Sequence, residues 1–181
     1  MEQLTSQRPT TWEQVLTDWR SREANRWGWE KIWRERGFAS WDAWRATYFE
    51  SLHLMERSWA EYRVADPEVF IPKMWAVAYS GWKRYYPPGA VKARLADIAG
   101  HPELPANGKV MSLLKTFPNP TTIIGIRCRD ELALFEGMHR AATIALAARR
   151  GEMVVVELRL VLTEFRSDEA GLFEKVITQQ E

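Results

Sequence analysis

Cysteine is almost absent from this chain of 181 residues: Cys128 stands alone. A disulfide framework and a cysteine metal site are therefore excluded, and a reducing, cytoplasmic setting is the expectation. Histidine is nearly as scarce, with three residues, and neither His53 nor His101 belongs to a cluster with metal-ligand spacing, so metal binding by protein groups alone is not expected. Neither sign of charge is in excess. The 25 Lys and Arg face 24 Asp and Glu, and a net charge of +1 provides no global cue for nucleic acid or a membrane surface. No run approaches the roughly 18 apolar residues of a membrane span, and Met1-Glu2-Gln3 lacks the basic and apolar regions that open a secretory signal. A last absence is regional. No tryptophan follows Trp82, and all ten lie between Trp12 and Trp82.

That first part starts helices in a repeated way. Thr11-Trp12-Glu13-Gln14 and Ser40-Trp41-Asp42-Ala43 each set a hydroxyl N-cap before Trp and an acid in the first turn. Thr11 with Gln14 also fits a capping box. Trp12, Val15, Leu16 and Trp19 share one helical face, and Trp29, Ile32 and Trp33 share another in a helix that Gly37 ends. Trp41, Trp44, Tyr48, Leu52, Met55, Trp59 and Tyr62 extend the same spacing over a long third helix that stops near Asp66-Pro67. Residues 1–66 are thus expected to form a Trp-rich helical extension. Such rings can stack on bases or sugars, but stripes at helical spacing are foremost packing surface, each ring removing about 150–250 Å² from water. Any exposed remainder would serve a protein partner or a second copy of the chain. Arg20, Arg22, Arg26, Arg34 and Arg36 are interleaved with Glu23, Glu30 and Glu35, which describes a solvated mixed face and not a nucleic-acid stripe.

Residues 67–181 read as a second domain. Most of the nine prolines punctuate the stretch from Pro67 to Pro120, with a short helix over Ala90 to Ala99 closed by Gly100. Between Lys83 and Arg129, eight basic residues (Lys83, Arg84, Lys92, Arg94, Lys109, Lys115, Arg127, Arg129) face two acids, Asp97 and Glu103, a local excess of +6. Folded over a phosphate pocket these side chains would complete it; otherwise they are solvated loop charges. After Pro120 the pattern becomes strand-like: Thr121 to Ile126, a charged hairpin loop from Arg127 to Glu131, then Leu132 to Phe135. A helix follows from Met138 to Arg150 with Gly151 as its stop, and Met153 to Leu162 forms a strand with Glu157 and Arg159 on one face and Val156, Leu158 and Leu160 on the other. The order β-β-α-β and a terminal helix suits an α+β domain.

The segment Leu134-Phe135-Glu136-Gly137-Met138-His139-Arg140-Ala141-Ala142 carries the chemistry. An apolar run stops at Glu136-Gly137, and a helix begins with His139 and Arg140 in its first turn. Gly137 lets strand swing into helix and a ligand approach the main chain. Free N–H groups and the positive end of the dipole then face an anion. A protonatable His139 and Arg140 are disfavoured there unless an anion is bound. Glu136 is open to two readings, a general base or magnesium ligand, or a carboxylate that balances the dipole. Cys128, flanked by arginines, is either a thiol of lowered pKa or an inert one.

On these residues the chain resembles the ParB/sulfiredoxin superfamily. Its members include sulfiredoxins with Gly-Gly-Cys-His-Arg, free-serine kinases with Asp-Gly-His-His-Arg, and partition-protein CTP-binding domains. The resemblance covers roughly residues 109–162 and is carried by a short pattern in a strand–turn–helix context. It implies a small mixed sheet with helices, and nucleotide phosphates held by Gly137, His139 and Arg140, with Glu136 in the acidic slot. Beside what the resemblance implies, Met138 and Lys115 of the basic stretch are expected to join the phosphate site, and Glu136 is the candidate catalytic carboxylate. Met138 stands where sulfiredoxins carry their catalytic cysteine, and a thioether forms no thiolate, which argues against that chemistry. The leading functional expectation is a nucleotide-dependent phosphotransferase, using ATP or another nucleotide with Mg2+, acting on a small hydroxyl-bearing molecule. The alternative is a non-catalytic nucleotide-sensing interaction module. A ParB-like nucleic-acid-binding module ranks below both, because charge is near neutral and no helix-turn-helix is evident.

Overall fold

The computed structural model describes residues 4–24, 28–154 and 157–178. Met1–Gln3, Arg26 and Val156, which entered the sequence reading, lie outside the described residues. The chain divides into two compact units: Pro9–Ala60, and a unit that joins Met1–Arg8 to Glu61–Glu181.

Pro9–Ala60 is helical. α1 (Trp12–Glu23) and α3 (Trp41–Phe49) begin where their caps predict, since Thr11 Oγ1 accepts from the Gln14 N–H at 3.3 Å and Ser40 Oγ from the Ala43 N–H at 3.1 Å. Between them lies α2 (Trp29–Glu35). Trp12, Trp19, Trp41, Trp44 and Trp59 are buried, so these rings form packing surface. They meet in tilted or edge-on pairs, Trp12 with Trp59 at 5.3 Å and Trp19 with Trp41 at 5.2 Å between centroids. At the centre sits the Arg45 guanidinium, 4.1 Å from the Trp44 ring and 5.1 Å from that of Trp19. Glu23 neutralises it at 2.9 Å and also accepts from Trp19 Nε1 at 3.0 Å. A buried cation is tolerated because aromatic faces and one carboxylate replace its water.

The expected long third helix is not formed. α3 ends at Phe49, short 3-10 turns cover Glu50–Leu52 and Leu54–Glu56, and the chain then extends as a strand over Trp59–Val64. His53, with φ of 52°, breaks the helical path. Trp59 and Tyr62 matched helical spacing by coincidence, and pairing in the sheet decided their conformation.

The second unit holds a five-stranded sheet among the described residues, ordered β1-β2-β5-β3-β4. The strands are β1 (Leu4–Thr10), β2 (Trp59–Val64), β3 (Thr121–Cys128), β4 (Glu131–Glu136) and β5 (Leu158–Phe165). β3 runs antiparallel to β4 and parallel to β5, so the sheet is mixed and the fold is α+β. Thr5 contacts the Arg63 carbonyl and Arg8 pairs with Glu61, the opposed sense of an antiparallel pair. The helical segment therefore enters from β1 and leaves into β2. Residues 4–8 and 61–64 belong with the sheet, and the division at residue 66 expected from composition is not the structural one.

The remaining helices are α4 (Pro67–Phe70), α5 (Ser80–Lys83), α6 (Leu95–Gly100), α7 (Gly108–Lys115), α8 (Met138–Arg150) and α9 (Ala170–Thr178). α6 is shorter than the Ala90–Ala99 helix expected, since the Asp97 carboxylate accepts from the Arg94 N–H at 2.8 Å and fixes its start there. α8 spans the residues its sequence predicts, and Gly151 stops it in the left-handed conformation, φ 68°. The strand expected over Met153–Leu162 begins at Leu158 and runs to Phe165. Ile123, Ile124, Ile126, Leu134, Phe135, Leu158, Leu160 and Ile144 are fully buried and place the core between sheet and helices. No helix among the described residues is long and apolar enough to cross a membrane.

Candidate anion site at the start of α8

β4 ends at Glu136, opposite Ile124 of β3, and the chain turns at once into α8. Gly137 makes the turn with φ 102° and ψ 23°. A Cβ there would lie 2.7 Å from Ile123 Cγ2. Both the backbone conformation and the close approach to β3 therefore require glycine. The first intrahelical bond runs from the Ala141 N–H to the Gly137 carbonyl at 2.9 Å. Helix geometry leaves the amides of Met138, His139 and Arg140 without intrahelical acceptors, and Gly137 has no side chain to cap them.

Glu136 and Arg140 form an ion pair, one helical turn apart, with side chains 3% and 14% exposed. The pair ties the end of β4 to the first turn of α8. It also supplies, from Glu136, the negative charge that offsets a cation at a helix N-terminus. Met138 is buried, so its thioether belongs to the packing and only its backbone faces the helix start. His139 meets the Trp82 ring edge-on at 4.9 Å. Burial first, then the positive charges of Lys109 and Arg140, lower its pKa to about 4. At neutral pH the imidazole is uncharged, a hydrogen-bonding group and not the cation that its position suggests.

Lys109 reaches this place because α7 packs on α8. Asn107 caps α7, its Oδ1 accepting from the N–H groups of Lys109 and Val110, both at 3.2 Å. Thr143 of α8 donates to the His139 carbonyl at 2.7 Å and lies 3.4 Å from that of Val110. The opening turns of α7 and α8 thus converge. Lys115 is exposed at the opposite end of α7, about 9 Å further along the helix axis. Lys109, one of eight basic residues in its stretch, is the lysine whose charge acts on His139.

The other basic residues of that stretch are dispersed. Lys92 pairs with Glu174 at 2.9 Å and Arg94 with Glu131 at 3.0 Å. Arg127 pairs with Glu164, Arg129 donates to the Ser167 carbonyl at 3.1 Å, and Arg84 lies over Tyr85. The local excess of +6 does not become a single basic lining. Cys128 is buried and its thiol donates to the Arg166 carbonyl at 3.7 Å. Among the described residues, no group of three or more His, Cys, Asp or Glu is arranged to hold a metal ion. The chain matches no family model, no curated protein and no solved structure.

Proposed function

We propose that this protein binds the phosphates of a nucleotide at the start of α8 and transfers phosphate to a small hydroxyl-bearing molecule. The observation that carries the reading is the convergence of the α7 and α8 N-terminal turns on His139, with Lys109 and Arg140 supplying positive charge beside helix amides that have no intrahelical acceptor. It is reinforced by the resemblance of Glu136-Gly137-Met138-His139-Arg140 to the free-serine kinases of the ParB/sulfiredoxin superfamily. Magnesium would arrive on the phosphate oxygens and neutralise charge during transfer. Glu136 would complete its coordination or accept the hydroxyl proton once Arg140 turns from the carboxylate to the phosphate.

A second reading is favoured by one observation. Glu136 is committed to Arg140 inside the protein, and a carboxylate so held serves an anion-responsive latch as well as it serves catalysis. In that reading the nucleotide displaces the latch and no transfer follows.

Lys109→Ala leaves the Glu136–Arg140 pair intact, and it should weaken ATP–Mg2+ binding on the order of tenfold, as loss of a charge-assisted hydrogen bond does. Equal calorimetric affinities for wild type and variant would remove the anion site. Incubation with ATP, Mg2+ and serine, threonine, homoserine or sugar-like alcohols, read by mass spectrometry, tests transfer. Nucleotide binding without any phosphorylated product leaves the sensor.

A further inference from the structure

We infer that the Thr121 hydroxyl is a further binding group of this anion site, placed to donate to a phosphate oxygen of the nucleotide. The inference rests on the phosphate-binding reading above. Thr121 opens β3 and is 3% exposed. Its backbone N–H is satisfied by the Glu157 carbonyl at 3.0 Å, but its Oγ1 is buried with no hydrogen-bond partner among the described residues. A buried hydroxyl left unbonded is disfavoured, and native proteins retain few such groups. The neighbouring buried positions of β3 are Ile123, Ile124 and Ile126. A strand position selected for burial alone would take the same β-branched hydrocarbon there.

The placement of the hydroxyl indicates its use. The ladder between β3 and β4 stops at Ile124 opposite Glu136, because the chain turns away at Gly137. Residues 121–123 thus run past the end of β4, beside the turn into α8. Strand alternation sets Thr121 and Ile123 on the same face. Ile123 Cγ2 is the atom that would clash with a Cβ at Gly137. Thr121 follows one pleat repeat away, about 7 Å along that face. The orphan hydroxyl therefore lies on the face of β3 against which the helix start is built. A single phosphate would sit on the amides of α8, and a longer phosphate chain would extend along that face.

The full-length protein tests the assignment with ATP–Mg2+ calorimetry and thermal melts of wild type, Thr121→Val and Thr121→Ser. Thr121→Ser keeps the donor and should bind like wild type. Thr121→Val should weaken binding about three- to tenfold, the ratio set by one neutral hydrogen bond. Without ATP its melt should be unchanged or raised, since an orphan hydroxyl gives way to a methyl of similar shape. That split, weaker binding without lost stability, is what a purely structural threonine would not produce. A lowered melt with unchanged affinity would make Thr121 the partner of an internal water only and overturn the assignment. Should Lys109→Ala weaken ATP binding while Thr121→Val does not, the Thr121 assignment alone falls. No ATP binding by wild type overturns both this inference and the phosphate reading.

Discussion

Gly137 and His139 show how single residues set the properties of the α8 start. Gly137 combines φ of 102° with a 2.7 Å approach of its missing Cβ to Ile123. Gly137→Ala should cost about 2–3 kcal/mol through backbone strain and overlap, measurable as a lowered denaturation midpoint. An unchanged midpoint would mean that the turn is far more plastic than its geometry indicates. His139 has the opposite sensitivity, to charge. Its pKa in the folded protein is about 4, against an ordinary 6.5. The unfolded chain therefore takes up a proton first, and stability should fall as pH drops from about 6.5 towards 4. His139→Gln should flatten that limb of the stability profile. A bound polyphosphate favours the imidazolium, so ATP should move the His139 NMR titration upwards. A titration near 6.5 in the free protein would contradict the burial and charge described for this ring.

Two ion pairs act at the scale of elements. Glu136–Arg140 joins β4 to α8. Glu136→Gln removes the negative partner and should lower stability on the order of 3 kcal/mol, because the partly buried Arg140 is left with a neutral neighbour. The same substitution frees Arg140 for phosphate, so ATP affinity should hold or rise while any transfer is lost. Loss of ATP binding instead would show that Glu136 holds the site open. In the helical unit, Arg45 of α3 pairs with Glu23 of α1 inside a ring of tryptophans. Arg45→Ala should destabilise that unit by about 3 kcal/mol, the consequence of the lost ion pair with Glu23 and the lost cation–π contacts. Tryptophan fluorescence during denaturation reads this directly, since Trp19, Trp41 and Trp44 surround the site.

At the scale of the whole molecule, the helical unit stands between two strands that belong to the sheet. Removing residues 1–66 would take β1 and β2 away and bare the edge of β5, an aggregation hazard. Replacing residues 11–58 with a short turn would keep all five strands. The first variant should be poorly soluble, and the second should retain a cooperative melt and the same ATP affinity as the intact chain. If both behave alike in solution, β1 and β2 are dispensable to the sheet.

Where information was local, the sequence determined the outcome by itself. The caps at Thr11 and Ser40, the start of α8 after Gly137 and its stop at Gly151 depend on residues within a turn of one another, and each forms where its residues predict. The β3–β4 strand pair is equally local, although its turn is tighter than the Arg127–Glu131 loop expected, because Arg127 pairs with Leu132 and Cys128 with Glu131. Tertiary structure decided the rest. β1 is polar, Leu4-Thr5-Ser6-Gln7-Arg8-Pro9-Thr10, with no periodic signal, and becomes a strand because β2 pairs with it. β2 followed helical spacing and was drawn into the sheet by partners distant in sequence. In the site, the motif around Gly137 was legible because strand, turn and helix are contiguous. The roles proposed for Lys109 and Thr121 were not, since Lys109 comes beside His139 only through the packing of α7 on α8, and Thr121 extends past the end of β4 only through the β3–β4 register. No spacing rule within one segment carries that information, because the positions are set by contacts that form only when the whole sheet unit folds.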